Sequence, residues 1–371
     1  MQTENKYLGF DFLRGFAAFL VVISHLRNFL FVDFAEVVDP SVFDQAFYFV
    51  TGLGHQAVMV FFVLSGFFVG GSVWIKVQAK KFKMFDYLII RMSRLWIVLV
   101  PALLFTLMCD FYGGYLASGD GYNGIWHSLL SSGPGVGEDA IDLGFSAFFG
   151  NLLFLQTMVV PVYGSNGPLW SLAYEFWYYI AFPLLAFAIL EKKLVALLAL
   201  LVLMLVLYFA NPGILIGFSY WLLGWLASMA ITHFKKPSYG RFLLAALFFL
   251  AMLTLSKFTG NIWGEVIVAI STGVLLLSLT IVSSRNQTIA NIVSKFSDFS
   301  YSLYLFHFPF MAFYWFVLVA PVQFQPSILA YAHAFVLLMV CLAFCFLMYW
   351  IFERRTLELR NWMLRKFPTN S

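Results

Sequence analysis

Charge is what this sequence has least of. Only 11% of its 371 residues are Asp, Glu, Lys or Arg, against about 25% in ordinary soluble domains. Hydrophobic residues make up 62% and the mean hydropathy is +0.87. Even large soluble folds keep a wide polar exterior, so no water-exposed globule of this size can be built from such a chain. Soluble enzymes, disordered regulators and secreted scaffolds are excluded together. Cysteine is nearly absent as well, with 3 in the chain. Cys341 and Cys345 lie one helical turn apart in an apolar run, without His or carboxylate company, and Cys109 ends another run. Neither a disulfide framework nor a metal site is expected from them. A Gly-rich nucleotide loop, an HExxH zinc motif and a GxSxG elbow are all missing. The basic loops lack the fold context for nucleic-acid binding. The N-terminal apolar run begins almost at once, contains Asp11 and Arg14, and has no small-residue cleavage site, so it does not read as a cleavable signal.

What the chain does have is a series of long apolar runs. A bilayer core about 30 Å thick takes about 20 helical residues. Breaks at Gly, Pro and charge clusters give ten runs, near 8–31, 47–74, 92–112, 168–190, 194–210, 213–232, 242–257, 264–283, 299–320 and 327–351. The expected fold is an all-α integral membrane protein of about ten transmembrane helices, forming one domain over 1–371 with no separate soluble part. The stretch 145–160 is apolar but short and is followed by Pro161, which suits a re-entrant or interfacial segment. With both termini in the cytoplasm, 19 of the 22 basic residues fall on the cytoplasmic side. Arg27 and Lys257 fall outside, and Arg14 lies within a span. The outer segments are acidic: Asp33, Glu36, Asp39, Asp44, Asp120, Glu138, Asp139 and Asp142.

Ionisable groups inside a span are costly, and each is a functional candidate for that reason. The first run holds Asp11, Arg14 and His25, with ten residues between the last two. Eleven helical steps come to about 1100°, within about 20° of three turns, and rise about 16 Å. Arg14 and His25 therefore share a face, and Asp11 at i−3 can compensate Arg14. A structural ion pair with a packing histidine is the bland alternative. Arg91 and Arg94 open the third run at i,i+3, preceded by Lys76, Lys80, Lys81 and Lys83. An anchor to anionic lipid explains the lysines; paired planar forks suit phosphate. In the fourth run Ser171, Glu175 and Tyr178 or Tyr179 share a face, with Glu175 as a proton relay or substrate clamp. In the ninth, Ser300, Tyr304 and His307 fall at i, i+4 and i+7, and Pro309 is expected to kink the helix just beyond. A hydrogen-bonded packing network competes with a catalytic reading there. His127 and His233 lie in loops, His55 and His333 show no evident charged partner, and all four count as background.

These motifs, in this order, resemble the acyltransferase family 3 membrane proteins, which O-acylate bacterial surface glycans and some small glycosides. DFLRGFAAFLVVISH is similar to the family's D-x-x-R-G opening and Arg-x10-His pair, at Arg14 and His25. Phe61, Phe62, Ser65 and Gly66 resemble its F-F-x-x-S-G signature, and Arg91 and Arg94 its R-x-x-R. Trp170, Ser171 and Glu175 resemble W-S-L-x-x-E; Ser300, Tyr301, Tyr304 and His307 resemble S-Y-x-x-Y-L-x-H.

The resemblance implies a multi-pass protein of the bacterial cytoplasmic membrane. It implies acyl transfer, with acetyl the expected case, from a cytoplasmic acyl-CoA to a hydroxyl of a glycan, glycolipid or other surface or secreted acceptor. No permanently bound cofactor and no metal is expected; acyl-CoA is the donor substrate, and nucleic acid is not a partner. The implied catalytic residues are His25, Arg14, Glu175 and His307. Arg91, Arg94, Lys80 and Lys83 would hold the donor, with Asp11, Ser171, Ser300, Tyr301 and Tyr304 in support. His25 either takes the acceptor proton or carries the acyl group. Some members carry an extra C-terminal helix and a soluble SGNH hydrolase-like domain that this chain lacks, which leaves room for a separate periplasmic or extracellular acyltransferase partner. A glycan transporter or flippase, and a non-catalytic scaffold of a polysaccharide assembly, are the competing readings.

Overall fold

The structure is a computed structural model that describes residues 8–117, 120–130, 140–233, 238–279 and 287–366. It is all-helical, with 81% helix and no strand among the described residues. In chain order the helices are α1 (Leu8–Leu30), α2 (Val42–Thr51), α3 (Gly54–Ser65), α4 (Gly71–Gln78), α5 (Met84–Leu116), α6 (Phe145–Leu152), α7 (Leu169–Leu190) and α8 (Leu194–Ala210). They continue with α9 (Pro212–Ala230), α10 (Tyr239–Leu255), α11 (Asn261–Leu276), α12 (Gln287–Asp298), α13 (Ser300–Leu318), α14 (Ile328–Ile351) and α15 (Thr356–Lys366).

Among the described residues, seven stretches are long and apolar enough to cross a bilayer: α1, Val42–Gln78, α5, α7, Pro212–His233, α13 and Ile328–Lys366. The fifth, seventh and eighth runs read from the sequence hold the shorter apolar helices α8, α10 and α11. α8 has 17 residues, and such a helix reaches about 25 Å, just under a bilayer core. α14 leaves most of its apolar surface exposed, as a lipid-facing helix does. α6 has 8 residues, too few to cross, and the chain turns back on itself before Val160. Lys6, Glu138, Asp139, Lys235, Lys236 and Arg285, which entered the charge count, lie outside the described residues, as does the side chain of Asp120.

The chain divides into two compact units. The first comprises Met1–Ala17, His55–Met84 and Tyr174–Asp298; the second comprises Ala18–Gly54, Phe85–Ala173 and Phe299–Ser371. In the first unit α3 passes into α4 through a π turn over Gly66–Gly70. Here α9 comes backbone to backbone: a Cβ on Gly66 would run into the Trp221 carbonyl, and one on Gly224 into the Val63 carbonyl. Lipid offers no hydrophobic drive for helix pairing, so close approach at small residues supplies the packing instead. Trp221 is buried beside Phe182 and Phe218.

In the second unit α13 lies at the core, with Leu303, Leu305, Phe306, His307 and Phe308 all buried. Pro309 sits inside α13, and the helix runs on without a break to Leu318. Proline has no N–H, so it strips the carbonyl four residues back, that of Leu305, of its helical donor. Asn166 Nδ2 donates to that carbonyl at 3.0 Å. The loop carrying Asn166 is tied to α5. Ser165 donates its N–H and its hydroxyl to the two oxygens of buried Asp110, each at 2.7 Å. Asn166 Nδ2 also lies 3.2 Å from Thr106 Oγ1. Gly164 has φ +57°, and a Cβ there would strike the Asp110 carboxylate, so both the turn and the close approach call for glycine.

Candidate active site

Two histidines from opposite ends of the chain meet inside the second unit. α1 delivers His25 and α13 delivers His307, and both are buried. His25 Nδ1 and His307 Nε2 are 2.7 Å apart, a hydrogen bond in which one ring donates and the other accepts. The rings are nearly parallel, at 6°, and Phe308 stands edge-on to His25. The other nitrogen of His307, Nδ1, is 2.8 Å from the Leu303 carbonyl one turn back.

The predicted face of α13 supplies the framework. Tyr304 Oη lies 2.7 Å from Ser171 Oγ and donates to the Pro168 carbonyl at 3.2 Å. Tyr301 donates its hydroxyl to the Leu95 carbonyl at 3.1 Å. Ser300 is buried in the first turn. Ser302, outside the predicted set, donates its N–H and hydroxyl to Glu353 at 2.9 and 2.6 Å. The first turns of α13 are thus pinned by Tyr301, Ser302 and Tyr304.

The first unit gathers the other candidates. Arg14 lies 3.6 Å from the Asp11 carboxylate and donates its Nε–H to Ser297 Oγ at 2.6 Å. Ser297 in turn donates to Asp11 at 3.4 Å, closing a three-residue cluster between α1 and α12. Glu175 accepts from Tyr179, the residue one turn on, which settles which of the two tyrosines partners it. Tyr178 is buried instead, among Phe62, Phe218 and Trp221. Tyr179 Oη reaches Ser65 Oγ at 3.5 Å, and Trp221 donates its indole N–H to that serine at 3.1 Å. The serine and glutamate of two separate motifs are so joined by one phenol. Lys80 and Lys83 are exposed in the turn before α5. In the second unit Arg91 lies over the Tyr87 ring at 5.5 Å, and Arg94 is exposed. No group of His, Cys, Asp or Glu among the described residues is arranged to hold a metal ion.

Three polar clusters go beyond the sequence expectations. One is Asp110 with Ser165 and Asn166. A second is Ser297, which holds Arg14. The third joins α3, α9 and α11: His55 Nε2 is 2.7 Å from Glu265, whose other oxygen accepts from Tyr220 at 3.0 Å. Asp110 and Glu265 carry the same signal that marks Glu175, a carboxylate within an apolar run. Ser297 carries none, since a serine in a short polar helix is unremarkable.

An all-helical membrane protein that buries two hydrogen-bonded imidazoles has groups suited to acid–base chemistry within the membrane. The family model described as Acyltransferase domain, that of acyltransferase family 3, matches residues 7–363. The chain belongs to that family. No curated protein and no solved structure matches it.

Proposed function

We propose that this protein is a membrane O-acyltransferase of the bacterial cytoplasmic membrane. It moves an acyl group, acetyl in the first instance, from cytoplasmic acyl-CoA to a hydroxyl of a glycan, glycolipid or other surface or secreted acceptor. The observation that carries the reading is the buried His25–His307 pair, 2.7 Å apart. It gives a base to a family of acyltransferases at two positions that the family motifs contain. An imidazole can take the proton from an attacking hydroxyl near neutral pH.

In this reading the chain crosses the membrane ten times and both termini are cytoplasmic. Arg91 and Arg94, with Lys80 and Lys83 preceding them in the chain, bind the phosphates of the donor, since planar forks and ammonium groups both suit phosphate. Arg14, held by Asp11 and Ser297, orients the donor or steadies negative charge developing on the thioester oxygen. His25 is the acceptor's base. Glu175 serves as a polar clamp through Tyr179, and a separate acyltransferase on the outer face completes the acceptor step where one is needed.

The test uses purified protein reconstituted in liposomes with acyl-labelled acetyl-CoA. Consumption of the thioester, or label on the enzyme, is expected. Movement of a glycan across the bilayer without thioester consumption would replace acyl transfer by transport. Mass spectrometry of surface glycans, glycolipids and secreted metabolites, with and without the gene, then identifies the acceptor.

A further inference from the structure

The hydrogen bond between His25 and His307 has its direction set from outside the pair. A carbonyl oxygen can only accept, so His307 Nδ1, 2.8 Å from the Leu303 carbonyl, carries the proton. In a neutral imidazole the remaining nitrogen then holds the lone pair, so His307 Nε2 accepts from His25 Nδ1 at 2.7 Å. The proton of His25 therefore sits on Nδ1, and the lone pair of His25 sits on Nε2.

From this geometry we infer that His307 is a positioning residue. Through the chain Leu303 carbonyl, His307, His25, it holds the His25 ring in the tautomer whose Nε2 is basic, and it shares the positive charge that forms there. The inference rests on the acyl-transfer reading above.

A catalytic base is commonly oriented by a carboxylate. Here no carboxylate among the described residues bonds either ring. The difference follows from the medium. A resting carboxylate inside a membrane helix bundle is a buried charge needing compensation, whereas a neutral imidazole needs only its hydrogen bonds. The proton account closes without the carboxylate. As the acceptor oxygen bonds to the thioester carbonyl carbon, its proton passes to His25 Nε2. The carbon–sulfur bond breaks, the sulfur takes that proton, and ester and free thiol leave with both rings as they began. Between those steps His25 is an imidazolium. Its Nδ1–H still donates to His307, so the charge is spread over an N–H···N pair.

One spectrum and two kinetic variants, with a third variant for assignment, test this. In ¹⁵N-histidine-labelled wild-type protein in detergent, with His25 assigned by its loss in His25→Gln, NMR is expected to show His25 protonated at Nδ1 and bare at Nε2. An Nε2-protonated His25 would overturn the inference. For kinetics, His307→Met fills the apolar volume but accepts poorly, while His307→Gln offers an amide oxygen to the His25 Nδ1–H. His307→Met is expected to lower kcat at least about 100-fold with the donor KM within about threefold, as loss of an orienting acceptor does. His307→Gln should recover at least about tenfold of that loss, because the acceptor is restored. Its acidic limb should move to lower pH, since an amide does not share the charge. A purely structural His307 predicts the reverse order, with the apolar Met the better substitute, and that order would overturn the proposal. If neither variant folds, the wild-type spectrum decides. Absence of thioester consumption by the wild type would overturn the acyl-transfer reading instead, and the spectrum would still report the hydrogen bonds.

Discussion

At the scale of single residues, His25 is the strongest candidate for function. An ionisable side chain inside a membrane helix is rare and marks a functional site by default, and the Nδ1 of His25 is already committed to His307. His25→Ala is expected to cut acyl transfer at least about 100-fold, the usual contribution of a general base. The chain should still fold, because α1 keeps its apolar face. Near-normal turnover in a well-folded His25→Ala protein would remove His25 from the mechanism. Arg91 and Arg94 are proposed for a different task, that of holding the donor's phosphates. A phosphate contact made equally in ground and transition states is uniform binding, so replacing both by Ala should raise the donor KM and leave kcat nearly unchanged. An unchanged KM in a stable double variant would move donor docking elsewhere. Much of this set was legible in the sequence, since Arg14 and His25 lie on one helix at a spacing that counting reveals. The His25–His307 bond was not legible. Its partners are 282 residues apart, and no local period encodes which distant helix supplies the second ring.

Among the elements, α13 shows how a proline can sit in a core helix at little cost. Pro309 strips the Leu305 carbonyl of its backbone donor, and Asn166 replaces it from a loop tied to α5. Asn166→Ala is therefore expected to destabilise the protein by about 1–3 kcal/mol, the range for leaving a buried acceptor unsatisfied. Thermal unfolding in detergent reads this. Pro309→Ala restores the N–H, so the same Asn166→Ala change should cost less in the Pro309→Ala background than in the wild type. Equal costs in the two backgrounds would mean that Asn166 acts through Thr106 alone. The proline was legible as a point of stress, and a kink was its expected consequence. The repair was not, because Asn166 reads locally as a turn residue in SNGP. Similarly, Gly66 and Gly224 appear in the sequence as two glycines in apolar runs. Only the structure shows that each is held open for the other segment's backbone.

For the whole molecule the open matter is how often the chain crosses the membrane, and the charges make a definite claim. Among the described residues seven stretches meet the length and composition of a span, and α8, α10 and α11 are apolar but shorter. If only the seven crossed, the ends would lie on opposite sides, because an odd number of crossings separates them. If all ten cross, both ends lie together. Lys and Arg distribution favours ten: 19 of 22 fall on one side under that count, and dropping any span would invert every later loop. The three shorter helices are not too short in principle, since flanking residues and local thinning accommodate a few ångströms of mismatch at modest cost. Lys192 and Lys193 before α8 and Arg241 near the start of α10 are placed to hold those helix ends at an interface. Reporter fusions after Ser371 and within 233–241 are therefore expected to report the cytoplasm, and fusions within 120–140 the outer side. With the N-terminus in the cytoplasm, a cytoplasmic signal at 120–140 would show an odd error among the spans before it, and an outer signal at Ser371 an odd error in the whole count. An outer signal at 233–241 alone would require two errors, one among α7–α9 and one after that loop, and the shorter apolar helices α8, α10 and α11 are where they would fall.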